Sequence, residues 1–557
     1  MYIVIRNIES VFGMKKSRLA LLFLLILCFS CENKGYVDPV IPPDNPLGDG
    51  NAYGTVSCEG AGIPGVVVSD GYAVCVTDAQ GNYSFSSAKR NGYVFISIPS
   101  GYECFQNGIQ PQFFKYFSKP EQEAERIDFQ LRKVDQSKYR VLFFGDMHLA
   151  DRKLFGDILQ FRKFVEDVKS TLESEEVRTY AITLGDMSWD RFWSINSYDL
   201  NSYLKEMNAD FGDSLPVFHT MGNHDNDSSF STDFLAAGAF RSILGPSYYS
   251  FNAGGIHYIV LDDIDYGSAS DGSYGRAIVA EQASWLVEDL KYVDKSTPLI
   301  ITMHAPLYNK EGKTSLYNGY DGLIKYLKGY SSTFVTGHTH ILYNVDRTDS
   351  PVSVYESNSG SVCGGWWVSG SNSGINLAGD GSPSGYRVMD VNGKTYSWRY
   401  KGTGFDEDVQ FRSYDRNSIC LSAEKWTPNA SAYGKKAFLE AVGEYSEPSK
   451  SNEVLLNVWD WDPFWKIDVY EGGDKLKVTQ LDDVKDPLYL VCYEAYEYEH
   501  HYDDSVNYPA YTTDHIFKVK AKDSDSTLDI RITDREGRVY RETMTRPKEF
   551  SIGKYSR

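Results

Sequence analysis

The chain of 557 residues has three successive patterns of hydrophobic and polar residues after its first 50 residues. Between Ala52 and Leu131, short β-type runs are separated by Gly, Asn and Asp, which predicts a small antiparallel sandwich. The next part alternates β-type runs with helical stretches and predicts a layered α/β sheet; these stretches are Leu154–Leu172, Ser231–Leu244 and Glu281–Val293. The C-terminal part returns to β patterning. We therefore predict three folded parts, at residues 51–133, 138–364 and 365–557.

Residues 1–31 have the features of an export signal. Basic residues precede the apolar run Leu19–Leu27, which is too short to span a membrane comfortably. The run closes at Cys31, after Ser30, and this ending resembles a bacterial lipoprotein signal in which Cys31 is lipidated; cleavage by an ordinary signal peptidase is the alternative. Residues 32–50 are rich in Pro and predict a tether. We expect an exported periplasmic or outer-membrane lipoprotein that meets the membrane only through its anchor.

Composition narrows the possible partners. The net charge of −20 argues against a basic face that grips duplex nucleic acid, because such binding is dominated by Lys and Arg contacts to phosphates. Removal of the signal leaves six cysteines in an expected oxidising compartment. A Cys58–Cys75 bridge is possible, although the spacing cannot establish it. The sequence does not predict an oligomeric state.

Polar residues recur at the ends of five short β-type runs in the central part. They are Asp146 and His148, Asp186, Asn223 with His224 and Asp225, His304, and His338 with His340. The carboxyl ends of buried strands are where α/β sheets place their chemistry. Oxygen and nitrogen donors without a thiolate suit divalent metals, and a pair of such ions suits phosphoryl chemistry. Seven of these nine residues are candidate ligands: Asp146, His148, Asp186, Asn223, His304, His338 and His340. Seven ligands are too many for one tetrahedral ion but suit two ions that share a carboxylate, for which Asp186 is the natural bridge.

The order of these groups resembles that of the calcineurin-like metallophosphoesterases, whose pattern is D-x-H, GD, GNH-D/E, a lone His and GH-x-H. The resemblance spans roughly residues 139 to 365 and implies a four-layer α/β/β/α sandwich. It also implies two divalent ions, of Mn, Fe, Zn or Mg. One ion would be held by Asp146, His148, Asp186 and His340. The other would be held by Asp186, Asn223, His304 and His338.

The same resemblance implies the catalytic roles. His224 would contact the phosphate and protonate the leaving alkoxide, with Asp225 orienting its ring. A metal-bridging hydroxide would be the nucleophile. Other polar residues of this part match no ligand position: we expect supporting or surface roles for Asp190, Asp262 and Asp263, and core positions for His219 and His257.

The flanking parts carry weaker resemblances. The series GIPGVVVSDG…VTDAQGNYSF resembles transthyretin-like or carboxypeptidase-regulatory-like modules. The C-terminal part resembles the β domain that accompanies this phosphoesterase group. We expect Trp366, Trp367 and Tyr386 to lean over the metals and stack on a base, sugar or aryl group of the substrate; the alternative places them in an interdomain core. His500, His501 and His515 are predicted surface residues.

These features predict a secreted or lipid-anchored metal-dependent phosphoesterase that acts on phosphate monoesters or diesters. Its substrate would be a small-molecule or a glycan- or lipid-linked phosphoester. The alternative is an envelope binding protein whose β domains dock glycan or protein, with a secondary or silent phosphoesterase centre. Fold alone does not decide between them.

Overall fold

The computed structural model describes residues 50–174, 176–266, 274–314, 320–500 and 506–552. The predicted signal, the tether, Cys31 and His501 lie outside the described residues. Over these ranges, every helix is too short or too polar to cross a membrane.

Two sheets form the centre of the molecule. In the first sheet three parallel strands continue into an antiparallel hairpin, in the order Val217–Phe218, Thr179–Thr183, Lys138–Phe144, Gly385–Asn392 and Thr395–Gly402. The second sheet has four parallel strands flanked by one antiparallel strand on each side. Its order is Tyr249–Ala253, Ile256–Val260, Leu299–Thr302, Ser331–Thr336, Ser353–Ser359 and Leu342–Arg347. The hairpin Gly385–Gly402 lies after the predicted boundary at residue 365, yet it forms part of the central sandwich.

The strand Lys138–Phe144 shows why the centre has four layers. Successive side chains of a strand point to opposite faces, and here both faces are apolar. Val141 and Phe143 pack in the core that includes the second sheet, whereas Leu142 and Phe144 pack in a separate core under the first layer of helices. The predicted α/β/β/α sandwich is therefore confirmed.

Helices cover both outer faces of the two sheets. The helix Asp157–Ser174 buries an apolar stripe against the first sheet, with the rings of Phe144 and Phe164 5.0 Å apart. Leu200–Asp210 and Gly238–Ile243 share that core. The opposite face is covered by helices Ala280–Asp289 and Tyr320–Leu327. Shorter helices of the central part are Arg191–Ile195 and Asp233–Ala236, with 3-10 turns at Gly212–Ser214, Asn223–Asp225 and Leu290–Tyr292.

The N-terminal part consists mainly of two β sheets, as predicted, but it is not wholly antiparallel, because Ala52–Cys58 pairs in parallel with Glu125–Arg126 and Phe129–Lys133. One of its sheets contains Ala52–Cys58, Ala61–Gly62, Asn82–Phe85, Tyr102–Cys104, Glu125–Arg126 and Phe129–Lys133. The other contains Val67–Ser69, Val74–Val76, Tyr93–Ile96 and Phe114–Tyr116. Phe113 packs on the rings of Phe218 and Tyr249 at 5.8 and 4.6 Å, so this part shares a core with the central sandwich.

The C-terminal part has two four-stranded sheets and a group of helices. One sheet has the strand order Phe411–Asp415, Glu453–Val458, Ile516–Lys520 and Val478–Leu481. The other has the order Asp474–Lys475, Lys466–Glu471, Leu528–Thr533 and Val539–Met544. The helices are Val368–Ser373, Ala423–Trp426, Ala432–Val442, Pro487–Tyr489 and Ala495–His500, with a π-helical turn at Leu490–Glu494. Arg387 of the central sheet makes a buried two-point ion pair with Asp460, at 2.7 and 2.8 Å.

Several predictions about single residues can be compared with their positions. His219 and His257 are buried, as expected. His515 is also buried, with Nε2 3.3 Å from Asp380 Oδ2, so its predicted surface position is wrong; the carboxylate supplies the partner that burial requires. All six cysteines of the described residues are free, which contradicts the possible Cys58–Cys75 bridge.

Candidate metal centre

The five polar groups meet at one edge of the two sheets. Asp146 and His148 follow the strand Lys138–Phe144, and Asp186 follows its parallel neighbour Thr179–Thr183. From the second sheet, His304 follows Leu299–Thr302, and His338 and His340 follow Ser331–Thr336. Asn223 lies in the 3-10 turn after Val217–Phe218. The fold therefore brings together all seven residues that the sequence predicts as ligands.

The backbone of this centre is unusual. Five of the seven predicted ligands have a left-handed backbone, with φ of 50° at Asp146, 44° at His148, 54° at Asp186, 70° at His338 and 58° at His340. Such values are uncommon for residues with a Cβ and cost about 1–3 kcal/mol each, so they persist only where the surrounding structure enforces them. The result is that side chains from different loops point to one place.

Two glycines allow the loops to approach closely. A Cβ at Gly222 would lie 2.3 Å from the backbone nitrogen of Asp186, and one at Gly185 would lie 2.4 Å from Nδ1 of His304. Both contacts are too short for any side chain. The glycines that precede Asp186 and Asn223 are therefore required by space.

Four of the side chains form a first group of donors. The Nε2 atoms of His148 and His340 lie 3.0 Å apart. His340 Nε2 is 3.4 Å from Asp146 Oδ1, and His148 Nε2 is 3.4 Å from Asp186 Oδ2. All four side chains are buried.

A second group lies on the other side of Asp186. His304 Nε2 is 3.3 Å from Asp186 Oδ2 and 2.9 Å from Asn223 Oδ1, and it is 3.1 Å from His338 Nδ1. Because Asp186 Oδ2 lies close to both groups, it can serve as the shared ligand. Each set contains the residues that the resemblance assigns to one ion, and their role as ligands stays a prediction.

The surroundings of the imidazoles fit divalent cations. Nδ1 of His304 lies 2.7 Å from the Leu184 carbonyl and Nδ1 of His340 lies 3.1 Å from the Gly364 carbonyl. Each Nδ1 therefore carries the proton, and each Nε2 turns a lone pair toward the centre, as ligand histidines do. Burial lowers the pKa of His304, but the Asp186 carboxylate outweighs it and raises the value to about 10. Burial has the opposite result at His148 and His338, whose pKa values it lowers well below the ordinary value. The seven predicted ligands offer nitrogen and oxygen donors, a set that suits two divalent ions, and the thiol of Cys363 lies beside them.

His224 stands beside the two groups at their open side. One of its ring nitrogens lies within 4.8 Å of donor atoms of His148 and Asp186, and its side chain is 26% exposed. Its Nδ1 is 2.7 Å from Asp190 Oδ1. Burial lowers its pKa, but Asp186 and then Asp190 raise it above the ordinary value. The structure therefore pairs His224 with Asp190, a residue for which the sequence offered only a supporting or surface position.

The expectation that Asp225 orients the His224 ring is wrong. The Asp225 carboxylate instead accepts hydrogen bonds from the backbone amides of Asp186, Met187 and Gly222, at 2.7–3.0 Å. It is fully buried and faces the protein interior. Adjacent side chains in this tight 3-10 turn point in different directions, so Asp225 braces the Asp186 loop while its neighbour faces the centre.

The three aromatic residues predicted to bind substrate have different positions. Tyr386 is buried and its hydroxyl bonds Thr171 and Asp167, and Trp367 is buried with Nε1 donating to the Met147 carbonyl at 2.8 Å. The stacking role is therefore wrong for both. The interdomain-core alternative does not describe them either, because both lie in the core between the first sheet and its helices. Trp366 does lean over the centre, with its ring 4.1 Å from His148 and 4.7 Å from His340.

Two other neighbours of the centre, Arg276 and Cys363, had no predicted role, whereas Asp263 was expected to have a supporting or surface role. Arg276 Nη2 lies 3.1 Å from His338 Nε2, and Cys363 Sγ lies 3.6 Å from His340 Nδ1. Asp263 accepts hydrogen bonds from the backbone amides of His304 and Ala305. Asp190 and Asp263 had a local signal, since each lies shortly after the end of a strand, Thr179–Thr183 and Ile256–Val260 respectively. Arg276 and Cys363 are brought to the centre by tertiary folding.

Comparison with sequence models of protein families gives three adjoining matches. The model described as "Calcineurin-like phosphoesterase" matches residues 139–342. The models described as the N terminal and the C terminal of calcineurin-like phosphoesterase match residues 50–134 and 356–540. Together these matches cover most of the chain.

Curated relatives match over a short region. Purple acid phosphatase 23 and Purple acid phosphatase 15 of Arabidopsis thaliana are each 33% identical, over 106 and 109 residues. Each match covers 17% of this chain, and 21% and 18% of the two relatives. The chain thus spans about a fifth of the length of the curated relatives that it matches.

Solved structures show distant similarity. A dimetal phosphatase from Danio rerio has 16% identity and a TM-score of 0.34, over 48% of this chain and 96% of that one. A 5'-nucleotidase from Candida albicans has 12% identity and a TM-score of 0.31, over 71% of this chain and 90% of that one.

The three adjoining family matches, in the order of the three folded parts, show that the chain belongs to the calcineurin-like phosphoesterases.

Proposed function

We propose that this protein is a metal-dependent hydrolase of phosphate esters. The observation that carries the proposal is the pair of donor groups that share Asp186, with His224 beside them on the open side. The Asp146, His148, Asp186 and His340 side chains would hold one ion, and Asp186, Asn223, His304 and His338 the other. When bound, such ions polarise phosphoryl oxygens and make a water molecule nucleophilic at neutral pH.

The chain's own groups account for the remaining steps. Because Nδ1 of His224 contacts Asp190, Nε2 is the ring nitrogen left to face a bound phosphoester. His224 in its protonated form can donate from Nε2 to the departing alkoxide oxygen, and Asp190 stabilises that form and fixes the ring. Trp366 covers the outer side of His148 and His340 and limits the access of water to them.

We also propose that the protein is exported and anchored through a lipid on Cys31. The proposal is supported by the basic residues, apolar run and cysteine of residues 1–31 and by the Pro-rich residues that follow. Metabolic labelling with a tagged fatty acid tests it, because Cys31→Ala should abolish labelling. Equal labelling of that variant would contradict the anchor.

Hydrolysis of a chromogenic phosphate diester beside the matching monoester tests the reaction. Metal-stripped protein is reloaded with Mn, Zn, Fe or Mg, and the metal content per chain is measured with the rate. We expect turnover of at least one ester with two ions per chain. Two bound ions without turnover of either ester would contradict the proposal and favour a binding role.

The role of His224 can be separated from that of the ligands. We expect His224→Ala to keep both ions and to lower kcat by roughly two to four orders of magnitude, the usual range for general acid catalysis. His500→Ala is the matched control, because His500 is exposed on the helix Ala495–His500. Loss of metal from the His224 variant would refute the assignment.

A further inference from the structure

A cleft of about 440 Å³ opens directly beside the metal centre. Its floor includes His338 and His340, two of the predicted ligands. One wall comes from the central sandwich and includes Arg276 and Tyr343. The facing wall comes from the C-terminal part and includes Tyr489, Tyr508 and Tyr511. The cleft therefore lies where the two parts of the chain meet.

The imidazole of His338 connects this cleft with the second donor group. His338 presents Nδ1 to His304, at 3.1 Å, and presents Nε2 to Arg276 in the cleft, also at 3.1 Å. A phosphoryl group seated at the centre would leave the rest of its molecule within reach of the cleft. Volume and position together suit the organic portion of a phosphoester.

The C-terminal wall is held firmly to its surroundings. The Tyr508 carbonyl accepts a hydrogen bond from the Tyr489 hydroxyl at 3.0 Å, and the Tyr511 amide donates to the Gly379 carbonyl at 2.9 Å. Lys310 of the central part donates to the Thr512 carbonyl at 2.7 Å across the junction. These three hydrogen bonds fix the backbone of residues 508–512. The side chains that it carries therefore form a preorganised surface.

The aromatic rings of the wall are only partly used by internal packing. Tyr508 stacks on Trp366 with centroids 4.8 Å apart, which continues the aromatic layer that covers His148. Tyr511, in contrast, remains 43% exposed although it lies in a concave site. A tyrosine offers an apolar face for stacking and a hydroxyl for hydrogen bonds, which suits a polar ring.

We infer that this cleft binds a ring-bearing polar group, of the nucleoside or glycosyl kind, attached to the phosphate that the centre cleaves. Tyr511 supplies the stacking face, and Arg276 supplies a guanidinium for oxygen atoms of that group. The C-terminal part thereby selects the substrate. This inference rests on the proposed function.

Kinetic selectivity tests the inference. The holoenzyme is assayed for phosphate release from adenosine 5'-monophosphate, glucose 6-phosphate and the acyclic glycerol 3-phosphate. We expect kcat/KM for at least one ring-bearing ester to exceed that for glycerol 3-phosphate by tenfold or more. Tyr511→Ala should lower this ratio by about tenfold, as expected for the loss of one stacking partner. The two ring-bearing arms distinguish the nucleoside from the glycosyl kind.

Matched variants and a binding measurement complete the experiment. Tyr433→Ala, on an exposed face of the helix Ala432–Val442, should leave the ratio unchanged, whereas Tyr511→Phe should retain most of it. An unchanged ratio in Tyr511→Ala, or no preference for either ring-bearing ester, would overturn the inference. If no ester is hydrolysed, the proposed function is refuted, and binding must test the inference instead. Calorimetry with the metal-loaded protein then measures the affinity for each ester. The inference requires the ring-bearing esters to bind more tightly than glycerol 3-phosphate, and Tyr511→Ala to remove that difference.

Discussion

The two aspartates next to His224, one in space and one in sequence, make different contacts. Asp190 meets the imidazole Nδ1 at 2.7 Å, whereas Asp225, next to His224 in sequence, holds backbone amides in the interior. A carboxylate on the far nitrogen of an imidazole fixes its tautomer and stabilises its protonated form. In the proposed mechanism, the spatial neighbour Asp190, rather than the sequence neighbour Asp225, would therefore control the proton of His224.

Asp190→Asn tests this division. We expect kcat to fall about 10- to 100-fold, the range seen when a partner of a functional histidine is removed, while two ions per chain are retained. Rate and metal content are measured on the same preparation. Asp213→Asn, at an exposed position, is the control. A normal rate in Asp190→Asn would show that another group orients His224.

A buried histidine away from the centre predicts a dependence of stability on pH. Burial lowers the pKa of His219 to about 3, against about 6.5 in an unfolded chain. Between these values the unfolded chain binds more protons, so the free energy of unfolding falls as the pH falls, by up to about 1.4 kcal/mol per pH unit. We expect His219→Gln to reduce the decrease in Tm between pH 6 and pH 4. A calorimetric slope equal to that of the parent chain would contradict this assignment.

Among the elements, the turn that carries Trp366 and Trp367 is the most constrained. Both residues have a left-handed backbone, with φ of 59° and 65°, and they send adjacent rings in different directions. Trp367 enters the core beneath the first sheet, while Trp366 covers the predicted ligands His148 and His340. Trp367 therefore contributes to the stability of the fold, whereas Trp366 contributes to the surroundings of the candidate metal centre.

Alanine at each position should separate the two effects. We expect Trp367→Ala to lower the free energy of unfolding by about 3–5 kcal/mol, because it empties a buried site and removes the bond to the Met147 carbonyl. Trp366→Ala should destabilise less but lose its ions faster to a chelator, because His148 and His340 lose their cover. Denaturant unfolding and metal release measure the two effects, and the reverse order would refute the assignment.

The strands and the meeting of the seven candidate ligands could be predicted because their signals are local. Each β-type run ends at a short polar motif, so residues such as Asp186 and His304 can be identified from a few neighbours. Side-chain direction is not local: the contact of His224 with Asp190 and the burial of Tyr386 depend on packing between distant segments. The pairing of Gly385–Asn392 with Lys138–Phe144 spans most of the central part, so patterning alone could not assign that hairpin to the first sheet.

At the scale of the whole molecule, a buried ion pair joins the central and C-terminal parts. The Arg387 guanidinium makes two hydrogen bonds to Asp460, and both side chains are almost inaccessible to solvent. Removing one partner of such a pair leaves an uncompensated charge in the interior. The pair therefore makes the folding of the two parts depend on each other.

Arg387→Met should lower the free energy of unfolding by about 3–5 kcal/mol. Arg387→Met with Asp460→Asn should recover part of this loss, because the second change removes the unpaired charge. Arg531→Met, which breaks an exposed pair with Asp529, should cost at most about 1 kcal/mol. Calorimetry of the three variants checks the order, and equal effects of Arg387→Met and Arg531→Met would contradict it.

The hairpin Gly385–Gly402 has a consequence for inheritance. A nonsense mutation or a proteolytic cut shortly after residue 365 would leave every predicted ligand in place, yet Lys138–Phe144 would lose its partner Gly385–Asn392 and become a sheet edge. An apolar strand exposed in this way is a template for aggregation. A chain shortened in this way would therefore contain the whole predicted centre and still be prone to aggregate.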